Sequence, residues 1–150
     1  MSFIEAVAAR LLSLARQLME MPELEAFAIG GIKVDILLHA YPLLREIEIA
    51  EGLRLVSAAD VAAMKINAVT NRGSKKDFID LLILHERGIA LSEPLDLFCR
   101  KYGSAGKFLA IRSLSWFDDA DEEPDPVFLN GWTWDAVRSR MRSLMGRIVA

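Results

Sequence analysis

The sequence predicts an α+β protein in which a small N-terminal sheet is followed by a C-terminal helical bundle. Two short apolar runs of strand character flank Gly30-Gly31, a residue pair that suits a tight turn. From Ser57 onward, apolar residues recur at helical spacing and are interrupted by residues that end helices, such as Gly73. We therefore expect two domains, over residues 1–56 and 57–150.

Composition narrows the class of protein. The 150 residues are 53% apolar and 26% charged, which is typical of a globular chain with a real core. A net charge of −3 gives no general attraction to nucleic acid or membrane. The single Cys99 excludes an intrachain disulfide, and with two histidines a Cys/His zinc site is not expected. We expect a cytoplasmic protein with neither a signal peptide nor a membrane span.

The N-terminal third predicts one helix and two strands. Residues 3–20 have the apolar spacing of an amphipathic helix. Residues 25–29 and 32–38 alternate as strands, and Asp35 is the acidic residue of the second. Asp35 is either a solvent-facing carboxylate on a half-exposed sheet or a rigidly held carboxylate that binds a metal or takes a proton.

Two more short strands, around 47–49 and 53–56, precede the helical part. Ser57 followed by Asp60 resembles a capping box and predicts a helix to about Thr70. Ser74 is expected to cap the next helix, from Lys75 to about Arg87.

Further helices are predicted toward the C-terminus. Ser92 and Ser104 are expected to cap the helices over 93–103 and 105–117, and the acidic residues 117–126 are expected to form a surface loop. A last helix over 132–149 carries four arginines that are either its solvated face or an RNA contact: Arg138, Arg140, Arg142 and Arg147.

Charged residues are concentrated between Ser57 and Leu84. Lys65 and Arg72 are seven residues apart, about two helical turns, so both lie on one face if the helix extends that far. Asp77 and Asp80 share a face of the next helix. Converging Lys and Arg side chains suit a phosphate group. An ion-pair network that only fixes the packing of the two helices is the simpler alternative.

The stretch DVAAMKINAVTNRGSKKDFIDLLIL resembles the K-x-x-A-x-x-x-R-G-x-x-K-D-x-x-D-L signature of the AbiEii/AbiGii-type nucleotidyltransferase toxin family. The preceding GIKVDILLHAYPLL and GLRLVSAAD, and the later RSLSWFDDADEEPDP, are similar to other blocks of that family. The resemblance covers roughly residues 31–126. It implies a polymerase-β-like nucleotidyltransferase core followed by a helical domain.

The same resemblance implies an activity and a site. Members transfer nucleotides from an NTP with Mg²⁺, act as toxins in abortive-infection systems beside an antitoxin, and in some cases modify tRNA. By resemblance, Asp35 takes the place of the third core carboxylate and is a metal ligand. The remaining site residues would be the catalytic Asp77 and Asp80 and the nucleotide- or phosphate-binding Lys65, Arg72 and Lys76.

The sequence departs from the family pattern in one respect. The family begins with a Gly-Ser and an Asp-x-Asp pair on early strands, and this sequence has no such block before residue 3. Its one Asp-x-Asp string, Asp119 to Asp121, lies in the late acidic segment. Because the chemistry depends on Mg²⁺ held by carboxylates, we expect the chain to be a truncated enzyme that is weakly active or inactive alone.

Three hypotheses follow. In the first, an upstream partner chain with the Gly-Ser and Asp-x-Asp strands completes the enzyme. In the second, the chain is a non-catalytic binding module or remnant that binds an antitoxin, RNA or itself as a homodimer. In the third, it is a structural domain whose charges serve packing alone.

Overall fold

The computed structural model describes residues 25–29, 32–129 and 131–149. The chain divides into two compact units, one of residues 1–40 with 51–53 and one of residues 41–50 with 54–150. The helix predicted over residues 3–20 lies outside the described residues.

The first unit contains an antiparallel strand pair. Strand β1 (Glu25–Ile29) pairs with β2 (Ile32–Ile36), with Ile29 opposite Ile32 and Asp35 opposite Ala26. Both strands are therefore confirmed, although β2 ends two residues before the predicted position 38. Asp35 has an exposed side chain.

A second two-stranded sheet precedes the helices. It consists of β3 (Glu48–Ala50) and β4 (Leu53–Leu55). The two linking residues both have positive φ, 50° at Glu51 and 78° at Gly52. This backbone conformation matches the right-handed twist of a two-residue hairpin.

Six α-helices dominate the described part of the second unit. They are α1 (Ala58–Asn71), α2 (Lys75–Glu86), α3 (Ser92–Tyr102), α4 (Lys107–Ser113), α5 (Asp118–Asp121) and α6 (Trp134–Val149). The described residues thus form a helix-rich chain with small sheets, as predicted, whereas the polymerase-β-like core stays a prediction.

Three local predictions need correction. Ser92 is the first residue of α3 and not its cap, because the turn starts earlier with Glu93 N–H donating to Ala90 O. Ser104 opens a separate 3-10 turn that precedes α4, and α4 ends at Ser113 because the next amides close tight turns instead. The acidic segment expected to be a loop contains the short helix α5.

The core lies among the helices of this unit. Phe78, Leu81 and Leu82 of α2 are buried. Phe78 packs against Phe117 and Trp134 with ring centroids 5.0 and 5.9 Å away, which joins α2 to α6. The main cluster of buried side chains comprises Ile66, Val69, Phe78, Leu81, Leu82, Leu91, Leu95, Phe98, Ala110, Leu114, Phe117, Ala120, Trp134, Val137, Met141 and Met145.

Candidate functional site

The turn between α1 and α2 determines which charged side chains meet. Helix α1 ends at Asn71, and the amides of Arg72 and Gly73 both donate to Ala68 O. Gly73 has φ +58°, a left-handed conformation that glycine adopts without the strain of a side chain. The chain then reverses, and Ser74 is the residue before α2.

Four of the predicted site residues form one network across this turn. Asp77 is fully buried and accepts a hydrogen bond of 3.0 Å from Lys65 Nζ at Oδ1. Arg72 Nε donates to Asp77 Oδ2 at 2.9 Å and a second guanidinium nitrogen donates to Oδ1 at 3.3 Å. Lys65 Nζ also lies 2.5 Å from Asp80 Oδ2. The network confirms that the charged faces of the two helices converge.

The two carboxylates differ in their surroundings. Asp77 has no exposed surface and both of its oxygens are engaged by cations. The Asp80 side chain is 42% exposed and contacts Lys65 at the surface. An exposed ion pair contributes little to stability. Another anion could therefore take the place of the Asp80 carboxylate beside Lys65 at low cost in free energy. Asp77 therefore holds the cations in place, and Asp80 is the contact that an incoming anion could replace.

The cations keep their charge at neutral pH. Burial lowers the pKa of Lys65, but the hydrogen bonds to Asp80 and Asp77 outweigh it and leave the pKa above its usual value. The hydrogen bond to Asp77 raises the pKa of Arg72. Lys65 is therefore a positively charged hydrogen-bond donor in this network.

A groove of about 880 Å³ opens beside this network. One wall is α2 and the other is the 123–129 segment. Lys76 is exposed along the groove and makes no ion pair with any residue that the structure describes. The lining residues are Lys65, Arg72, Ser74, Lys76, Asp77, Ile79, Asp80, Ile83, Glu123, Pro124, Pro126, Val127, Phe128 and Leu129.

The 123–129 segment is attached to the start of α2 by contacts that the sequence interpretation missed. Glu123 Oε2 accepts from Lys75 N at 2.9 Å and from Ser74 Oγ at 3.1 Å, so the carboxylate replaces a side-chain cap from Ser74 itself. The Lys75 ammonium is buried, donates to Glu123 O at 2.6 Å and lies 2.7 Å from Asp125 Oδ1. It also lies 5.5 Å from the centre of the Trp134 ring.

One signal could have identified Lys75. Lys75 precedes Phe78 and Leu82 by three and seven residues, so it lies on the apolar face of α2. Lys76 lies about 100° further round the helix and faces the groove. A lysine on an apolar stripe needs a partner for its charge, but the sequence does not reveal that residues 123 and 125 supply it.

Asp60 also does more than the predicted capping. Ser57 Oγ accepts from Asp60 N at 3.1 Å, which confirms the cap. The Asp60 carboxylate is buried and pairs with Lys101 at 2.7 Å. It also accepts from the amides of Leu44 and Arg45. This cluster has its hydrogen bonds satisfied within the unit, which favours a structural role.

The described residues do not fit Mg²⁺ by themselves. Among residues 25–29, 32–129 and 131–149, no group of three or more His, Cys, Asp or Glu side chains is arranged to hold a metal ion. Asp77 and Asp80 are bridged by the Lys65 ammonium, which takes the place between them that a metal ion would need. Asp35 belongs to the other compact unit, and its assignment as a metal ligand stays a prediction.

The arginines of α6 are largely occupied by contacts within the chain. Arg138 pairs with Asp121 and Asp135, and Arg140 pairs with Glu86. The Arg142 guanidinium lies 5.1 Å from the centre of the Phe117 ring.

Within the part of the chain that the structure describes, no helix is long and apolar enough to cross a membrane.

The fold and site define a helix-rich protein with a groove lined by three cationic and three acidic side chains. The family model described as nucleotidyl transferase AbiEii toxin, type IV TA system, matches residues 23–148, and the chain belongs to this family. The match extends beyond the 31–126 covered by the sequence resemblance.

A relative provides a second comparison. The chain is 36% identical over 115 residues to the uncharacterized protein aq_aa25 of Aquifex aeolicus (strain VF5), covering 75% of this chain and 56% of that protein. The chain thus spans little more than half the length of this relative. No solved structure is significantly similar to the chain.

Proposed function

We propose that the groove beside α2 binds the triphosphate of an NTP, and that the chain forms part of a nucleotidyltransferase toxin acting on an RNA or protein acceptor. The observation that carries this proposal is the set of three cations on one groove: Lys65 and Arg72, both held by the buried Asp77, and Lys76, which has no ion pair among the described residues. Fixed ammonium and guanidinium donors are the groups that recognise phosphate oxygens.

Each residue has a distinct part in the proposal. Lys65, Arg72 and Lys76 contact phosphate, and the triphosphate replaces Asp80 as the surface partner of Lys65. Asp77 orients Lys65 and Arg72, and the contacts of its two oxygens support positioning more than direct catalysis. Family membership supports a cytoplasmic toxin with a cognate antitoxin.

The metal chemistry needs groups beyond those that the structure describes. Family membership supports a divalent metal such as Mg²⁺, and Asp35 is our candidate ligand. The carboxylates of the Asp-x-Asp pair would come from another polypeptide or from sequence beyond this chain. We therefore expect nucleotide binding by the chain itself and efficient transfer only after those groups are added.

Calorimetric titration of the purified chain with ATP and Mg²⁺ tests the binding. Lys65→Ala and Lys76→Ala should each weaken binding by about tenfold or more, since a hydrogen bond to a charged group contributes about 1.5–3 kcal/mol. Lys107→Ala is the matched control, because Lys107 is an exposed lysine paired with Asp96 outside the groove. A wild-type chain that binds no NTP, or a Lys65→Ala variant that binds as well as wild type, would overturn the proposal.

A second function is favoured by the bridged carboxylates. Because Asp77 and Asp80 already pair with the same lysine, Lys65, the chain could serve as a non-catalytic module that binds an antitoxin, RNA or a second copy of itself. This alternative predicts a stable complex whose formation does not change with added NTP. If the charged residues serve packing alone, Lys65→Ala and Asp80→Ala should instead lower stability and alter no binding.

A further inference from the structure

The solvent-facing side of α4 carries two aromatic side chains and an arginine. After α4 ends, the amides of Ser115 and Trp116 close two further tight turns, so the backbone keeps winding to residue 116. Phe108, Arg112 and Trp116 are each four residues apart and therefore lie along one side of this winding. The row is about 12 Å long, at 1.5 Å per residue.

The apolar members of this row are uncovered in the part of the chain that the structure describes. Phe108 is 78% exposed and Trp116 is 52% exposed, and their neighbour Leu109 is 54% exposed. The opposite side of the same winding is buried at Ala110 and Leu114. Together the three exposed side chains leave on the order of 300 Å² of apolar surface in water, and patches of that size are often functional. The α4 patch comprises Phe108, Leu109, Arg112 and Trp116.

Opposite charges lie on the two sides of Trp116. Arg112 precedes it, is exposed and makes no ion pair with a residue that the structure describes. Asp118 and Asp119 follow it at the start of α5, are also exposed and likewise have no cation beside them among those residues. A surface with a cation at one side and carboxylates at the other is complementary to its own copy when that copy is turned by 180°.

We infer that the α4 patch binds a second copy of this chain, in a two-fold symmetric dimer whose two α4 helices run antiparallel. Both copies use the same patch in such a contact, so Phe108 of one copy packs against Trp116 of the other. The long Arg112 side chain extends toward Asp118 and Asp119 of the other copy. The contact thereby removes the exposed aromatic surface from water and pairs the charges that have no partner within the chain.

The charges favour a second copy over RNA, and the area predicts a weak dimer. A single RNA strand would also stack on the two aromatic rings, but Asp118 and Asp119 beside Trp116 would repel its phosphates. The patch is smaller than the roughly 800 Å² that each partner buries in a standard stable complex, so we expect dissociation in the micromolar range. None of the patch residues lines the groove beside α2, so the dimer is independent of NTP binding.

Sedimentation velocity of the full chain across the micromolar range tests the contact. The sedimentation coefficient of the wild type should rise with concentration, and Phe108→Ser should weaken the dimer by about tenfold or more, as loss of a central aromatic contact does. Because Phe108 is largely exposed, the variant should fold normally, which circular dichroism checks. Val127→Ser is the control, since Val127 is an 87% exposed apolar residue outside the patch, and it should leave the dimer unchanged.

A charge exchange tests the antiparallel arrangement. Arg112→Glu and Asp118→Lys/Asp119→Lys should each weaken the dimer, and the variant that combines all three changes should restore it, because both copies then carry the reversed pair. A wild-type chain that stays monomeric, a dimer that Phe108→Ser leaves unchanged, or a combined variant weaker than either parent would overturn the inference. A monomeric wild type that binds oligouridylate, with binding lost in Phe108→Ser, would overturn it as well and assign the patch to RNA.

Discussion

Asp60 and Lys101 form an ion pair of 2.7 Å in which neither side chain has any exposed surface. Asp60 also accepts hydrogen bonds from Leu44 N and Ser57 Oγ, and Lys101 donates to Pro42 O. The pair therefore connects the start of α1, the end of α3 and the chain segment that precedes β3. Its two charges are satisfied by partners from separate parts of the chain.

Removing one charge of this pair should strongly destabilise the protein. Asp60→Ala leaves the Lys101 ammonium buried without a counter-charge, which typically costs about 3–5 kcal/mol of unfolding free energy. Urea denaturation followed by circular dichroism measures the loss. The double variant Asp60→Ala/Lys101→Met should be less destabilised than Asp60→Ala alone, and equal losses would contradict the isolated-charge explanation.

The same pair predicts a loss of stability in acid. Burial by itself would raise the pKa of Asp60, but hydrogen bonds from Lys101, Leu44 N and Ser57 lower it to about 2. A depressed folded-state pKa stabilises the fold above the unfolded value of about 4, and this contribution of about 2 kcal/mol disappears as the pH falls from about 4 to about 2. Unfolding free energies should show this drop for the wild type and not for Asp60→Asn.

The two carboxylates beside Lys65 should respond differently to substitution. Asp77→Ala removes a buried acceptor of bonds from Lys65 and Arg72, and we expect a loss of about 1–3 kcal/mol together with weaker ATP binding. Asp80→Ala removes an exposed pair and should change stability by less than about 1 kcal/mol. It should also tighten ATP binding severalfold, because Lys65 loses a competing anion. Weaker ATP binding by Asp80→Ala would indicate that Asp80 contacts the ligand directly.

Glu123 should control the order of the groove wall. Glu123→Ala removes the acceptor for Lys75 N and Ser74 Oγ at the start of α2, and loss of such a cap costs about 0.5–2 kcal/mol. Hydrogen exchange of the amides in residues 125–129 should become faster than in wild type. Glu122→Ala is the matched control because Glu122 is exposed and does not line the groove, and it should leave the exchange rates unchanged.

Local patterns in the sequence predicted most of the elements. Alternation, caps and glycines indicated the strands and the two central helices, because these signals act within a few residues. The prediction that Ser92 and Ser104 cap helices was wrong, because a serine caps a helix only if the helix begins directly after it. The polymerase-β-like core was implied by resemblance alone and is not tested by the described strands.

The charged site was only partly predictable. The spacing of Lys65, Arg72, Asp77 and Asp80 indicated a shared face, and the structure brings all four together. The contacts of Lys75 with residues 123 and 125 span about fifty positions of sequence, and no local periodicity encodes a contact of that range. Distinguishing the buried carboxylate from the exposed one likewise required the packing of both helices.

The 123–129 segment lies within a loop whose ends, Asp121 and Trp134, contact each other. Asp121, just before it, accepts a 2.5 Å hydrogen bond from Trp134 Nε1 at the start of α6, and Glu123 is bound to the start of α2. Joining the ends of a loop removes much of its conformational entropy during folding. A ligand entering the groove therefore meets a wall whose entropy was already reduced, and less of its binding free energy is spent on ordering that wall.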